Sequence, residues 1–144
     1  MDETKVLDLL NKVKVLQEKA YVPYSNFRVA AIVGLKDNKE TLGVNIENAA
    51  FPATICAERT ALAQAITLGY KKDDVDFLFL ITDSKSLGSP CGVCRQFMVE
   101  TMPLDAKVYM SNCNTKELKD IKIVTVADLL PFAFMCESLK GNEK

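Results

Sequence analysis

Near the start of the chain, apolar residues recur at three- and four-residue spacing: Val6, Leu9, Leu10, Val13 and Leu16. Asp8, Lys12, Lys14 and Glu18 fall largely on other faces. That period predicts an amphipathic helix over residues 3–20. Tyr21-Val22-Pro23-Tyr24-Ser25-Asn26 ends it, because the residue before a proline is pushed out of the helical region. Residues 27–35 are nearly all apolar after Arg28, which predicts a buried strand. A polar turn, Lys36-Asp37-Asn38-Lys39-Glu40, follows, and residues 41–46 return as the second strand of a hairpin.

Residues 47–53 read as a loop containing Pro52. A helix is expected over 55–68, with Thr54 as N-cap and Gly69 as its stop. Its small and apolar body suits burial. Phe77-Leu78-Phe79-Leu80-Ile81 is an unbroken apolar run inside a strand at 76–82, the signature of a central strand covered on both faces. Residues 83–90 form a loop, and Cys91 or Gly92 opens a helix running to about Thr101, ended by Met102-Pro103. Two short strands, 106–110 and 121–125, and a helical turn at 127–130 closed by Pro131 complete the pattern. Strands alternating with helices imply a sheet with helices against its faces. Neither a repeat nor a linker divides the chain, so one domain is expected over 1–144.

Composition narrows the function. The chain has 144 residues, is 49% hydrophobic and carries a net charge of -1, without the basic footprint of a nucleic-acid binder. No apolar run approaches the roughly 18 residues of a membrane helix. The first residues, Met1-Asp2-Glu3-Thr4, are unlike a signal peptide, so a cytoplasmic protein is expected. Five cysteines is an odd number. In a reducing compartment they serve as metal ligands or small buried groups rather than disulfides. There is no histidine. Imidazole-ligated zinc and Ser-His or Cys-His nucleophile pairs are therefore excluded. Proton transfer near neutral pH is left to a carboxylate, a metal-activated water, a lysine or a thiol.

Two stretches carry candidate chemistry: Thr54-Ile55-Cys56-Ala57-Glu58-Arg59 and Ser89-Pro90-Cys91-Gly92-Val93-Cys94-Arg95. Cys91 and Cys94, three apart at a helix start, share one face. Cys56 lies in the first turn of the other helix. Both positions favour thiolate over thiol. Three thiolates holding zinc leave a fourth position for water. Two rivals stand beside this reading. A redox C-x-x-C pair leaves Cys56 and Glu58 unexplained, and a structural four-cysteine zinc recruiting Cys113 lacks the usual second C-x-x-C pair. Glu58 alone reads as a carboxylate favoured by the helix dipole. In a regular helix it points away from Cys56, and the two share a site only if that site lies off the helix end.

Cys56-Ala57-Glu58-Arg59 followed by Pro90-Cys91-Gly92-Val93-Cys94-Arg95-Gln96 resembles the homotetrameric cytidine deaminases of the three-cysteine zinc type. Tyr21-x-Pro-Tyr-Ser-x-Phe27, Asn45-Ile46-Glu47-Asn48-Ala49 and Leu129-Leu130-Pro131-x-x-Phe134 are similar to family segments in family order, over nearly the whole chain. The resemblance implies an α/β fold, a three-layer α/β/α arrangement around a mixed, about five-stranded sheet. It implies one Zn²⁺ per chain on Cys56, Cys91 and Cys94, whose water attacks C4 of cytosine. Glu58 would carry the water proton to N3 and then to the leaving ammonia. The Ala57 amide would meet the base carbonyl, Asn45 and Glu47 the ribose hydroxyls, and Phe27 the base. Phe134 of a neighbouring subunit would close the pocket in a homotetramer. Arg59, beside the ligands, would withdraw charge from three thiolates and Zn²⁺, which sum to one negative charge; Arg95 is a second candidate for that role. The implied activity is hydrolytic deamination of cytidine and deoxycytidine to uridine and deoxyuridine in pyrimidine salvage. Alternatives are a deaminase for a cytosine-containing antibiotic of the blasticidin type and a non-catalytic zinc-stabilised binding module. Ala30, Phe51 and Met135-Cys136 depart from the family pattern, where glycine, tyrosine and Gly-Pro are usual.

Overall fold

The structure, a computed structural model, describes residues 1–140; the last four residues of the expected 1–144 span lie outside it. The first helix, α1, spans Glu3–Gln17 and starts at Asp2, whose carboxylate accepts from the Lys5 amide at 2.8 Å. It ends three residues before the expected limit, with Glu18 as its C-cap. Val6, Leu9, Leu10 and Val13 are buried along one face. A free helix of 15 residues is marginal in water, whereas each buried aliphatic side chain contributes about 1.5–3 kcal/mol. Packing therefore holds α1.

Five strands form one mixed sheet in the order β2-β1-β3-β4-β5. They are β1 (Val29–Leu35), β2 (Glu40–Val44), β3 (Val75–Thr82), β4 (Lys107–Asn112) and β5 (Lys122–Thr125). β1 runs antiparallel to both β2 and β3, β3 parallel to β4, and β4 antiparallel to β5. The parallel pair requires a crossover, supplied by α3 (Gly92–Thr101). The helix α2 (Ala57–Thr67) joins β2 to β3. Alternation along the strands splits the core. Ala30, Ile32, Phe79, Ile81 and Tyr109 face α1. Ala31, Val33, Leu78, Leu80, Val108 and Met110 face α2, α3 and the short α4 (Val126–Leu129). The result is the expected three-layer α/β/α arrangement with β3 at its centre. Ala30 is fully buried on the α1 side, and Phe51 is a surface residue.

Three boundaries differ from the sequence reading in ways that matter. Phe27 and Arg28 precede β1 instead of opening it. Ile46 leaves β2 and pairs with Ile55 in an isolated bridge, exchanging hydrogen bonds of 2.9 and 3.0 Å. That bridge keeps Ile55 extended, so the helix cannot begin at 55. The N-cap is Cys56 and not Thr54, which instead caps a 3₁₀ turn at Phe51–Ala53. A last helix, α5 (Cys136–Lys140), was not anticipated.

Gly43 seats α2 against the sheet. A Cβ there would lie 2.3 Å from the Ala57 carbonyl oxygen and 2.5 Å from the Ala61 nitrogen. Both are backbone atoms of α2 and cannot swing aside. Gly43→Ala is expected to cost about 1–3 kcal/mol, the usual penalty of overpacking, as read by urea unfolding. Unchanged stability would mean that α2 can move off β2 freely.

Candidate metal centre and its cavity

The helices α2 and α3 both begin at one end of the sheet, and each is entered through a cysteine. Cys56 is the N-cap of α2 and Cys91 the N-cap of α3, both with extended backbone. An N-cap side chain and those of the first turn gather around the helix end. Cys91 and Cys94, at N-cap and third position, thus meet Cys56 across the gap between the helices. The Cys56 and Cys91 sulfurs are 3.9 Å apart, and all three lie within 4.8 Å of one another. Zinc–sulfur bonds of about 2.3 Å in tetrahedral geometry put sulfurs about 3.8 Å apart. The donor set and its spacing fit zinc. Among the described residues this is the only such cluster.

Capping also resolves the Glu58 difficulty. Glu58 occupies the second position of α2, so it and Cys56 converge off the helix end. It is only 4% exposed. Burial pushes its carboxyl up to about 7, with its own backbone N–H opposing and the Cys56 charge adding to the rise. The group is thus poised to gain and lose a proton near neutral pH. Cys56 is held down to about 5 by a hydrogen bond from the Cys94 thiol, against its burial and with help from Arg59. Cys94 moves the other way, because it donates to Cys56 and is buried.

Arg59 donates from Nη2 to the Cys56 sulfur at 3.5 Å. Its pKa rises further, chiefly from that bond. Its Nε is buried without a partner. Arg95 is a correction. It does not turn to the sulfurs but donates to the Pro90 carbonyl at 2.8 Å, the Leu129 carbonyl at 2.7 Å and the Ser89 hydroxyl at 2.8 Å. It ties the Cys91 loop to α4. Cys113 lies apart from the cluster, donating to the Ser84 carbonyl at 3.2 Å.

A cavity of about 310 Å³ opens beside the cluster. Phe27, Asn45, Glu47, Cys56, Ala57, Glu58 and Cys91 line it, so seven of the expected residues share one space. Phe27 is 41% exposed. Asn45 accepts from the Val29 amide at 2.9 Å and donates to the Phe27 carbonyl at 2.8 Å, leaving one N–H and one lone pair free. Glu47 accepts from the Tyr24 and Ser25 amides at 3.0 and 3.1 Å and from the Ser25 hydroxyl. The hydroxyl bond is the main reason its carboxyl stays below the usual range. Cys94 and Arg59 sit behind the wall. Phe134 is outside this lining; its carbonyl accepts from Gln96 at 2.8 Å and its side chain is 59% exposed. Sequence reasoning missed Val29, Thr54, Thr82, Ser84, Gly88 and Ser89, which complete the wall. It also missed the part of Ser25, whose place in the Pro23 turn was the available signal.

Residues 3–111 match the family model for the cytidine and deoxycytidylate deaminase zinc-binding region. The chain is 46% identical over 123 residues to a cytidine deaminase of Halalkalibacterium halodurans, covering 85% of this chain and 89% of that one. It is 40% identical over 131 residues to a cytidine deaminase of Sporosarcina psychrophila, covering 91% and 92%. Among solved structures it is similar to the cytidine deaminase from Burkholderia pseudomallei, with a TM-score of 0.83 and 35% identity over 93% of this chain and 100% of that one.

Proposed function

Since the chain belongs to the cytidine and deoxycytidylate deaminase family, we propose that it hydrolyses cytidine and deoxycytidine to uridine and deoxyuridine, releasing ammonia, as a step in pyrimidine salvage. The observation that carries this reading is a cluster of three convergent thiols beside the buried Glu58 carboxyl, with Cys56, Cys91 and Glu58 on the wall of one cavity. Zinc held by Cys56, Cys91 and Cys94 would supply the Lewis acid that makes water nucleophilic near neutral pH.

The chain's own residues do the rest. Glu58 takes the first proton of the attacking water and delivers it to N3 of the base. It then takes the second and delivers it to the departing amino group, so that ammonia leaves as the C4 carbonyl forms. Ala57 is the first helical residue of α2. Its N–H has no partner within the helix and donates to the base carbonyl. Phe27 packs on the base, while the free N–H of Asn45 and the oriented carboxylate of Glu47 hold the ribose hydroxyls. Arg59 offsets the excess negative charge of three thiolates, which would otherwise weaken the site's Lewis acidity.

The active unit is a homotetramer in which Phe134 closes a neighbour's cavity. Two features support this. Phe134 is not part of its own chain's cavity. Phe132 beside it is 106% exposed and has φ 56, an unfavourable backbone for an aromatic residue. Exposed aromatics in a row call for a covering surface. Among the described residues no helix is long and apolar enough to cross a membrane. Thiolate ligands must stay reduced, which fits a cytoplasmic site of action.

Incubating the purified chain with cytidine is expected to yield uridine and ammonia in equal amounts. A chain that binds zinc yet releases neither would be a zinc-stabilised binding module instead. Metal analysis should find about one zinc per chain, as a single three-cysteine site requires. Cys113→Ser should keep that zinc and Cys91→Ala should lose it. Loss of zinc in Cys113→Ser would indicate a fourth cysteine ligand and a closed site.

A further inference from the structure

Phe27 stands just before β1, where no neighbouring strand holds the backbone, and side chains have taken over that task. The Phe27 carbonyl accepts from Asn45, and the Phe27 amide donates to the Ser25 hydroxyl at 2.9 Å. The Arg28 amide donates to Asp83 Oδ2 at 2.8 Å. Gln17 Nε2 donates both to the Arg28 carbonyl at 2.9 Å and to Asp83 Oδ1 at 3.1 Å. The Arg28 guanidinium turns away, to the Glu18 and Ala20 carbonyls at the end of α1. Asp83 follows directly on Thr82, the last residue of β3, and its neighbours Thr82 and Ser84 line the same cavity as Phe27.

We infer that Asp83 is a positioning residue for substrate binding: one carboxylate oxygen takes the Arg28 amide and the other the Gln17 amide group that holds the Arg28 carbonyl, which fastens the backbone next to Phe27 to the end of β3 and thereby sets Phe27 against the base. This inference rests on the proposed role of Phe27 in the deaminase reading. The chemistry requires a carboxylate. Both partners of Asp83 are donors, and an ionised carboxylate is acceptor-only. An asparagine offers one acceptor and turns an N–H₂ toward one of the two donors. Asp83 touches neither the cysteine cluster nor Glu58 by any hydrogen bond in the structure, so its loss acts on binding and not on proton transfer.

The test uses the zinc-loaded full chain and the variants Asp83→Asn, Phe27→Ala and the double variant. Asp83→Asn is expected to raise KM for cytidine about ten- to a hundredfold, the range of a lost charge-assisted hydrogen bond, with kcat within about threefold of the parent. In the Phe27→Ala background the same substitution should add nothing to KM, because the side chain through which it acts is gone. A KM effect that multiplies with that of Phe27→Ala, or a fall in kcat matching the rise in KM, overturns the inference. Hydrogen exchange of the Phe27–Val29 amides in substrate-free protein provides a readout independent of the reaction. It should accelerate in Asp83→Asn, and unchanged protection overturns the clamp even if cytidine proves not to be the substrate. Should Asp83→Asn fail to fold, Gln17→Leu removes the second leg of the same clamp. Faster exchange of these amides then supports the inference and unchanged exchange overturns it.

Discussion

Glu58→Gln keeps its zinc and loses at least about 10²–10⁴-fold in kcat, the share usually supplied by general acid–base catalysis. The reason is positional. Glu58 is buried at the second position of α2, beside the Cys56 N-cap, and its carboxyl is pushed up to about 7 by that burial. Glutamine preserves size and most hydrogen bonding but cannot cycle a proton. No histidine exists in the chain to replace it. The zinc content of the variant separates a proton-transfer defect from a collapsed metal site. Activity close to that of the parent would remove Glu58 from the mechanism.

Phe134→Ala raises KM for cytidine by roughly ten- to a hundredfold, as expected from losing a stacking contact worth about 1–3 kcal/mol. The side chain does not line its own chain's cavity, and in the proposed tetramer the contact is made in another chain. Mixing distinguishes the two arrangements. Tetramers assembled from Phe134→Ala and Glu58→Gln chains contain some cavities with both defects and others with neither. Activity at low cytidine should therefore rise on mixing. In chains shown to exchange, the absence of a rise would mean that Phe134 serves its own subunit or only the core and does not reach a neighbour's cavity.

The layers of this fold were legible in the hydrophobic pattern because burial enforces it. The α1 stripe and the five-residue apolar run of β3 are each explained by the surfaces they meet. What periodicity could not give was the ends of elements. The Ile46–Ile55 bridge moved the α2 cap from Thr54 to Cys56. That shift of two residues converts Cys56 and Glu58 from opposite faces of a helix into neighbours at its end. The cysteine trio was readable as chemistry from residue type and motif. Arg95 was not, since its three acceptors come from Ser89, Pro90 and the distant Leu129. Ser25, Gln17 and Asp83 were missed for the same reason. Gln17 and Asp83 hold the Arg28 backbone from 11 and 55 residues away, and the Ser25 hydroxyl donates to the Glu47 side chain 22 residues on; such partners leave no periodic trace. The helix α5 was missed as well: with five residues it is too short for a hydrophobic repeat to show.

The most direct test of zinc-dependent deamination at the three-cysteine site is the loss of cytidine absorbance, followed on one preparation before zinc removal, after chelation, and after zinc is restored. The expected result is turnover that disappears with the metal and returns as zinc approaches about one equivalent per chain. Zinc-loaded, folded protein that leaves cytidine unchanged, or turnover that persists in the fully stripped chain, would contradict it.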